Sequence, residues 1–156
     1  MRKISKTIVN SKSALFLSRG SCFPIAMEGA LKLKEISYIH AEGYASGEMK
    51  HGPIALVDDK VPVVIISPKN DVFKKNISNM EEILARGGKV ILITDENGNK
   101  LLSNKKIKKI VLPNFDDYIQ PIVFTIPVQL LAYHVAVIKG TDVDQPRNLA
   151  KSVTVE

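Results

Sequence analysis

The sequence predicts an α/β fold, a parallel sheet with helices on both faces, followed by an irregular C-terminal tail. Short apolar runs alternate with longer helical patterns, which is the rhythm of βα units. The run at 63–66 is continuous and β-branched, as expected of a strand covered on both faces. Residues 141–156, TDVDQPRNLAKSVTVE, break that rhythm: they are polar, contain Pro146, and have too little apolar periodicity for a packed helix.

The elements follow in order. Ala14-Leu15-Phe16-Leu17 reads as a buried strand ending in the turn Ser18-Arg19-Gly20-Ser21. Pro24 suits the first turn of a helix, where its missing N–H costs nothing, and that helix is expected to run to about Gly43. Val63-Val64-Ile65-Ile66 is a second strand, and residues 72–85 form a helix stopped by Arg86-Gly87-Gly88. Residues 90–94 form a third strand, and Asn97-Gly98 marks a turn. Residues 107–112 form a fourth strand. Residues 121–139 form a long helix ended by Gly140, with a kink expected at Pro127. The domain is read as 13–140, preceded by a linker over 1–12 and followed by the tail. In parallel sheets ligands sit beyond the carboxyl ends of the strands, which points to residues 18–21, 67–70 and 94–98.

With 156 residues, the chain suffices for one domain with a real core. Apolar content of 45% and charged content of 24% place it among globular proteins rather than disordered ones. The apolar stretch 119–138 contains Gln120, Pro121, Pro127, Gln129 and His134, so it reads as a core helix and no membrane partner is expected. The basic amino end is followed by no long apolar run, so no signal peptide is expected. A single cysteine, Cys22, excludes an internal disulfide and fits a reducing, cytoplasmic compartment. The net charge of +6 comes from dispersed lysines with no interleaved aromatics, so no nucleic-acid partner is expected, whereas an anionic small molecule is compatible.

The first long helix carries the strongest chemical signal. Glu28, Lys32 and Glu35 are spaced by four and three residues and share one helical face among apolar neighbours. Partly buried, mutually paired charges shift each other's pKa, and a carboxylate so tuned can serve as a general base; the bland alternative is a surface stripe of ordinary ion pairs. His51 lies in a segment punctuated by Gly47, Gly52 and Pro53, where it would be exposed and able to move a proton, or else have no task. His40 and His134 are read as helical packing residues. The three histidines lack metal-ligand spacing, so no metal site is expected. Lys151 can attack a carbonyl only as a neutral amine, which needs desolvation or a nearby cation such as Arg147. Cys22 is read as a bystander thiol.

Taken together, AMEGALKLKEISYIHAEGYASGEMKHGP at 26–53 and KGTDVDQPRNLAKSVTVE at 139–156 resemble the second sugar-isomerase (SIS) domain and C-terminal tail of the glutamine–fructose-6-phosphate aminotransferase, or glucosamine-6-phosphate synthase, family. The resemblance covers the chain beyond its first dozen residues. It implies a single SIS domain of flavodoxin-like architecture. It also implies a reaction in which fructose 6-phosphate and glutamine-derived ammonia give glucosamine 6-phosphate. In that family the tail lysine forms a Schiff base with the opened sugar, and Lys151 matches it. The glutamate of KLKE moves a proton between C1 and C2, and Glu35 matches it. The histidine of KHGP assists ring opening from the neighbouring subunit, and His51 matches it. Lys32 and Glu28 match charged positions that tune Glu35; Arg147, Asn148 and Ala150 match substrate-binding or tuning positions of the tail. No cofactor is implied. The partners implied are a sugar phosphate, a first SIS domain, a glutaminase domain and a second copy in a homodimer.

The chain departs from that family in what it lacks. Arg2, not a nucleophilic cysteine, follows Met1, and Ser18-Arg19-Gly20-Ser21 lacks the Ser/Thr-rich character of the phosphate loop. The chain is therefore expected to be a fragment with little or no synthase activity alone. A regulatory SIS module that binds sugar phosphate without catalysis is the alternative, and a deglycase acting on sugar-amine adducts is a weaker one.

Overall fold

Apolar runs become strands where both of their faces can be covered, and the computed structural model, which describes residues 1–102 and 107–149, shows how. The elements are α1 (Arg2–Ser5), β1 (Ser13–Ser18), α2 (Phe23–Ser37), β2 (His40–Ala45), β3 (Pro62–Ile66), α3 (Phe73–Leu84), β4 (Lys89–Asp95), α4 (Glu96–Leu101), β5 (Lys108–Leu112) and α5 (Gln120–Lys139). The sheet runs β2-β1-β3-β4-β5 with every pairing parallel, which is the flavodoxin-like order.

Side chains alternate across the strands and divide the core in two. Phe16, Val64, Ile66, Ile91 and Ile93 pack with Ala26, Ala30 and Leu33 of α2 and Phe124, Val128 and Leu131 of α5. Leu15, Leu17, Val63, Ile65 and Leu92 pack with Phe73, Met80 and Ile83 of α3. Ile8, within the segment read as a linker, is fully buried in the first of these clusters. By length and composition α5 could cross a membrane, yet one of its faces is built into this core.

Two glycines let α2 lie low on the sheet. A Cβ at Gly29 would come within 2.8 Å of the Phe16 ring, and one at Gly43 within 2.7 Å of the Met27 Cα. Those close approaches fix the height of α2, and with it the placement of Lys32 and Glu35.

Three local expectations are corrected. The helix begun by Pro24 stops at Ser37, not near Gly43. Tyr38 adopts the left-handed conformation (φ 59°, ψ 19°), and its amide donates to Lys34 O at 3.1 Å. Residues 40–45 then pair with all of β1 as an edge strand, so His40 lies on a strand and not in a helix. Asn97-Gly98 is not a free turn but part of α4, which Asp95 caps by accepting the Gly98 amide at 2.7 Å. Pro127 lies inside α5 as expected, where it removes the amide that would have bonded to Val123 O.

The start of the tail is ordered. Gly140 ends α5 at φ 72°, and the Thr141 hydroxyl donates to Ile36 O at 2.6 Å. Asp142 Oδ1 then accepts the amides of Asp144 and Gln145, both at 2.9 Å, in an Asx turn. Leu149 N reaches Pro146 O at 3.4 Å across Asn148, whose φ of 63° suits the third position of a type II turn.

Candidate active site

Lys32 and Glu35 lie one turn apart near the carboxyl end of α2, and their side chains meet: Lys32 Nζ donates to Glu35 Oε2 at 2.6 Å. Both are about a quarter to a third exposed, so the pair is reachable from solvent. The bond to Glu35 holds the Lys32 ammonium above its usual range; burial opposes the shift, and the Glu35 and Glu28 charges add to it. Lys32 is thus a fixed cation at neutral pH. Glu28, one turn back, accepts from Gln129 Nε2 at 3.1 Å and so ties α2 to α5.

The pair forms one wall of a cleft of about 740 Å³, a size that holds a small metabolite. Gln129 and Tyr133 of α5 form the second wall, and tail residues from Val143 to Leu149 form the third. Sequence reasoning missed Gln129 and Tyr133. The only signal for them was polar atoms recurring in an otherwise apolar helix, and which helix they would face could not be read from it.

The cleft is not where parallel sheets usually bind ligands. α2 runs antiparallel to β1, so Glu35 is returned to the amino edge of the sheet. The expected carboxyl-edge segments bond to one another instead. Ser18 Oγ donates to Ile66 O at 2.6 Å and Thr94 Oγ1 to Ser67 O at 2.7 Å, and Asp95 accepts the Lys69 and Gly98 amides at 2.7 Å each.

His51 is not brought to Glu35 within one chain. It ends a 3-10 segment, Ser46–His51, that follows β2 at the carboxyl edge, with β2 between it and the end of α2. His51 is not among the residues that line the cleft. The imidazole is exposed, and its Nδ1 lies 2.7 Å from Glu48 Oε2. Arg147 and Asn148 lie on the tail beside the cleft, with the Arg147 guanidinium 4.2 Å from the Tyr38 ring centroid. Ala150 and Lys151 lie outside the described residues. His134 stands half-buried on α5, edge-on to Tyr133 at 5.4 Å. Cys22 is fully buried, and burial pushes its thiol up to about 11, which suits a bystander. No group of three or more His, Cys, Asp or Glu side chains suited to hold a metal ion occurs among the described residues.

Comparisons with known proteins agree with this architecture. The SIS domain family model matches residues 7–139. The chain is 61% identical over its whole length to a glutamine–fructose-6-phosphate aminotransferase (isomerizing) of Zymomonas mobilis and 60% identical over 98% of its length to that of Agrobacterium fabrum. It spans 26% and 25% of those proteins, about a quarter of their length. Among solved structures, the C-terminal domain of the glucosamine-fructose-6-phosphate aminotransferase from Francisella tularensis superimposes with a TM-score of 0.88 at 53% identity, over 93% of this chain and 41% of that one.

Proposed function

The chain belongs to the SIS domain family, and from that premise we propose that it supplies the last SIS domain and catalytic tail of an enzyme that turns fructose 6-phosphate and glutamine-derived ammonia into glucosamine 6-phosphate. The observation that carries this reading is the cleft in which the Lys32–Glu35 pair faces the ordered tail, with Leu149 two positions before Lys151.

In this reading the neutral Lys151 amine attacks the C2 carbonyl of the open-chain ketose and water leaves, giving an imine. Ammonia then replaces the lysine at C2. Glu35 takes a proton from C1 and returns it at C2, so the sugar becomes a 2-amino aldose with no net oxidation. Lys32 holds the Glu35 carboxylate in place and offsets charge developing on the sugar, and Glu28 steadies the wall through Gln129. The absence of His51 from the cleft lining, with β2 between it and the end of α2, favours delivery of His51 to the cleft of a second copy, so a homodimer is part of the proposal. Phosphate binding is left to a preceding SIS domain and ammonia release to a glutaminase domain. The isolated chain then has little or no synthase activity.

The test is Lys151→Ala in a full-length enzyme carrying this segment. Isomerisation and borohydride trapping of the sugar should be lost while glutamine hydrolysis persists. Isomerisation that survives would sink the proposal, and would favour a regulatory sugar-phosphate-binding module.

A further inference from the structure

Among the described residues other than glycine, only Tyr38 and Asn148 have positive φ, at 59° and 63°. They stand at the two sides of one contact. The Tyr38 hydroxyl accepts the Arg147 amide at 3.0 Å, and the Arg147 guanidinium lies 4.2 Å from the centroid of the Tyr38 ring. A left-handed backbone is unfavourable for tyrosine and persists only where its surroundings over-determine it. Here the backbone is held by the end of α2, through the Tyr38 amide on Lys34 O at 3.1 Å, and the ring so placed meets the tail.

We infer that Tyr38 is a positioning residue: it clasps the tail at Arg147 and so holds the chain leading to Lys151 beside the cleft that contains Glu35. The inference rests on the function proposed above. Its physical content is the length of a tether. The tail is already tied at Thr141, whose hydroxyl donates to Ile36 O at 2.6 Å. With that tie alone, about ten residues separate the last anchor from Lys151; with the clasp, about four do, a reach of at most roughly 14 Å. The local concentration of a tethered group falls as about the three-halves power of the tether's length, so lengthening the tether from about four residues to about ten dilutes Lys151 at the cleft about fourfold. The left-handed turn at Tyr38 also takes the ring out of the α2 path, three residues past Glu35, so one helix end presents both the acid and the clasp.

Two substitutions separate positioning from folding. Tyr38→Phe keeps the ring under the guanidinium and removes the hydroxyl. Tyr38→Gly removes both contacts and relieves the backbone cost, so a loss of rate cannot be ascribed to a strained fold. In the 156-residue chain, exchange of the Arg147 amide should quicken in both variants. In a full-length enzyme carrying this segment, Tyr38→Gly should lower kcat about fourfold or more, slow borohydride trapping at Lys151 to match, and leave KM for fructose 6-phosphate within about twofold. Tyr38→Phe should fall between it and the parent. Wild-type kcat in Tyr38→Gly would overturn the inference, as would a loss confined to KM. Lys151→Ala is measured alongside: if it keeps isomerisation the proposed function itself fails, whereas if it is dead and Tyr38→Gly is not, only the clasp fails.

Discussion

The two edges of the sheet are built for different ends. At the carboxyl edge several polar groups are spent on one another: Asp95 holds two amides, and Ser18 and Thr94 each hold a carbonyl at the end of the neighbouring strand. Ser46 Oγ, Ser67 Oγ and Asn76 Oδ1 are buried near that edge with no hydrogen bond among the described residues, and all three are uncharged. On the α2–α5 side, toward the amino edge, charged groups are left reachable: the Lys32–Glu35 pair borders an open cleft and bonds within itself rather than to the scaffold. Ligand position in a parallel sheet is therefore not settled by strand order alone. It also depends on which edge leaves charged groups within reach of a solute, and here the cleft bordered by the Lys32–Glu35 pair is reached by following α2 back to its end.

The contrast breaks most sharply on Glu35. In a full-length enzyme carrying this segment, Glu35→Gln should lower isomerisation by about 10²- to 10⁴-fold, the usual contribution of a positioned acid–base group, with melting temperature little changed. Normal turnover by that variant would remove the cleft from the chemistry. The next largest effect tests the separation between edges. If each site draws its acid from one copy and its imidazole from the other, as proposed, His51→Ala and Glu35→Gln chains, each inactive as a homodimer, should regain one working site per mixed dimer when co-expressed. No recovery in isolated mixed dimers would place His51 outside the reaction.

Much of this was legible beforehand, for definable reasons. β1, β3 and β4 announce themselves because strands buried on both faces need unbroken apolar runs, and the spacing of Lys32 and Glu35 alone makes them neighbours. β2 was hidden because the stop before it is a tyrosine in a glycine's conformation, and because an edge strand need not be apolar: His40 is exposed while Ala41 is buried. α4 was hidden because Asn-Gly signals a turn unless an aspartate upstream caps the amide, as Asp95 does. Gln129 and Tyr133 could not be assigned, since their role depends on α2 and α5 packing together, a long-range fact. The cleft between α2, α5 and the tail was not legible because the carboxyl-edge rule speaks only of strand ends, whereas this cleft depends on how two helices and the tail pack.

Stability should respond at the opposite places from rate. Asp95→Ala strands the Lys69 and Gly98 amides and should cost about 2–4 kcal/mol of unfolding free energy, read from urea midpoints. It should leave kcat per folded molecule close to normal. Gly43→Ala pushes a methyl group into the Met27 backbone, which cannot swing aside as a side chain would, and should cost about 1–3 kcal/mol. Because Gly43 sets the height of α2, this variant should also slow isomerisation, whereas Asp95→Ala should not. Equal kinetic effects from the two would erase the distinction between edges.

The smallest effect concerns Lys32 and pH. Its folded pKa lies above 10.5, the ordinary lysine value, chiefly through the bond to Glu35. A raised folded pKa means that the stabilisation is complete below the unfolded value and disappears as pH rises through the folded one. With the side chain about a third exposed, solvent screening limits the pair to well under 1 kcal/mol. Wild-type chain should therefore lose slightly more stability than Lys32→Met between about pH 9 and pH 12, and subtraction of the two urea-midpoint curves removes the other lysines. Parallel curves would mean that the ammonium and carboxylate are not joined in solution, and that Glu35 faces the cleft without a fixed cation beside it.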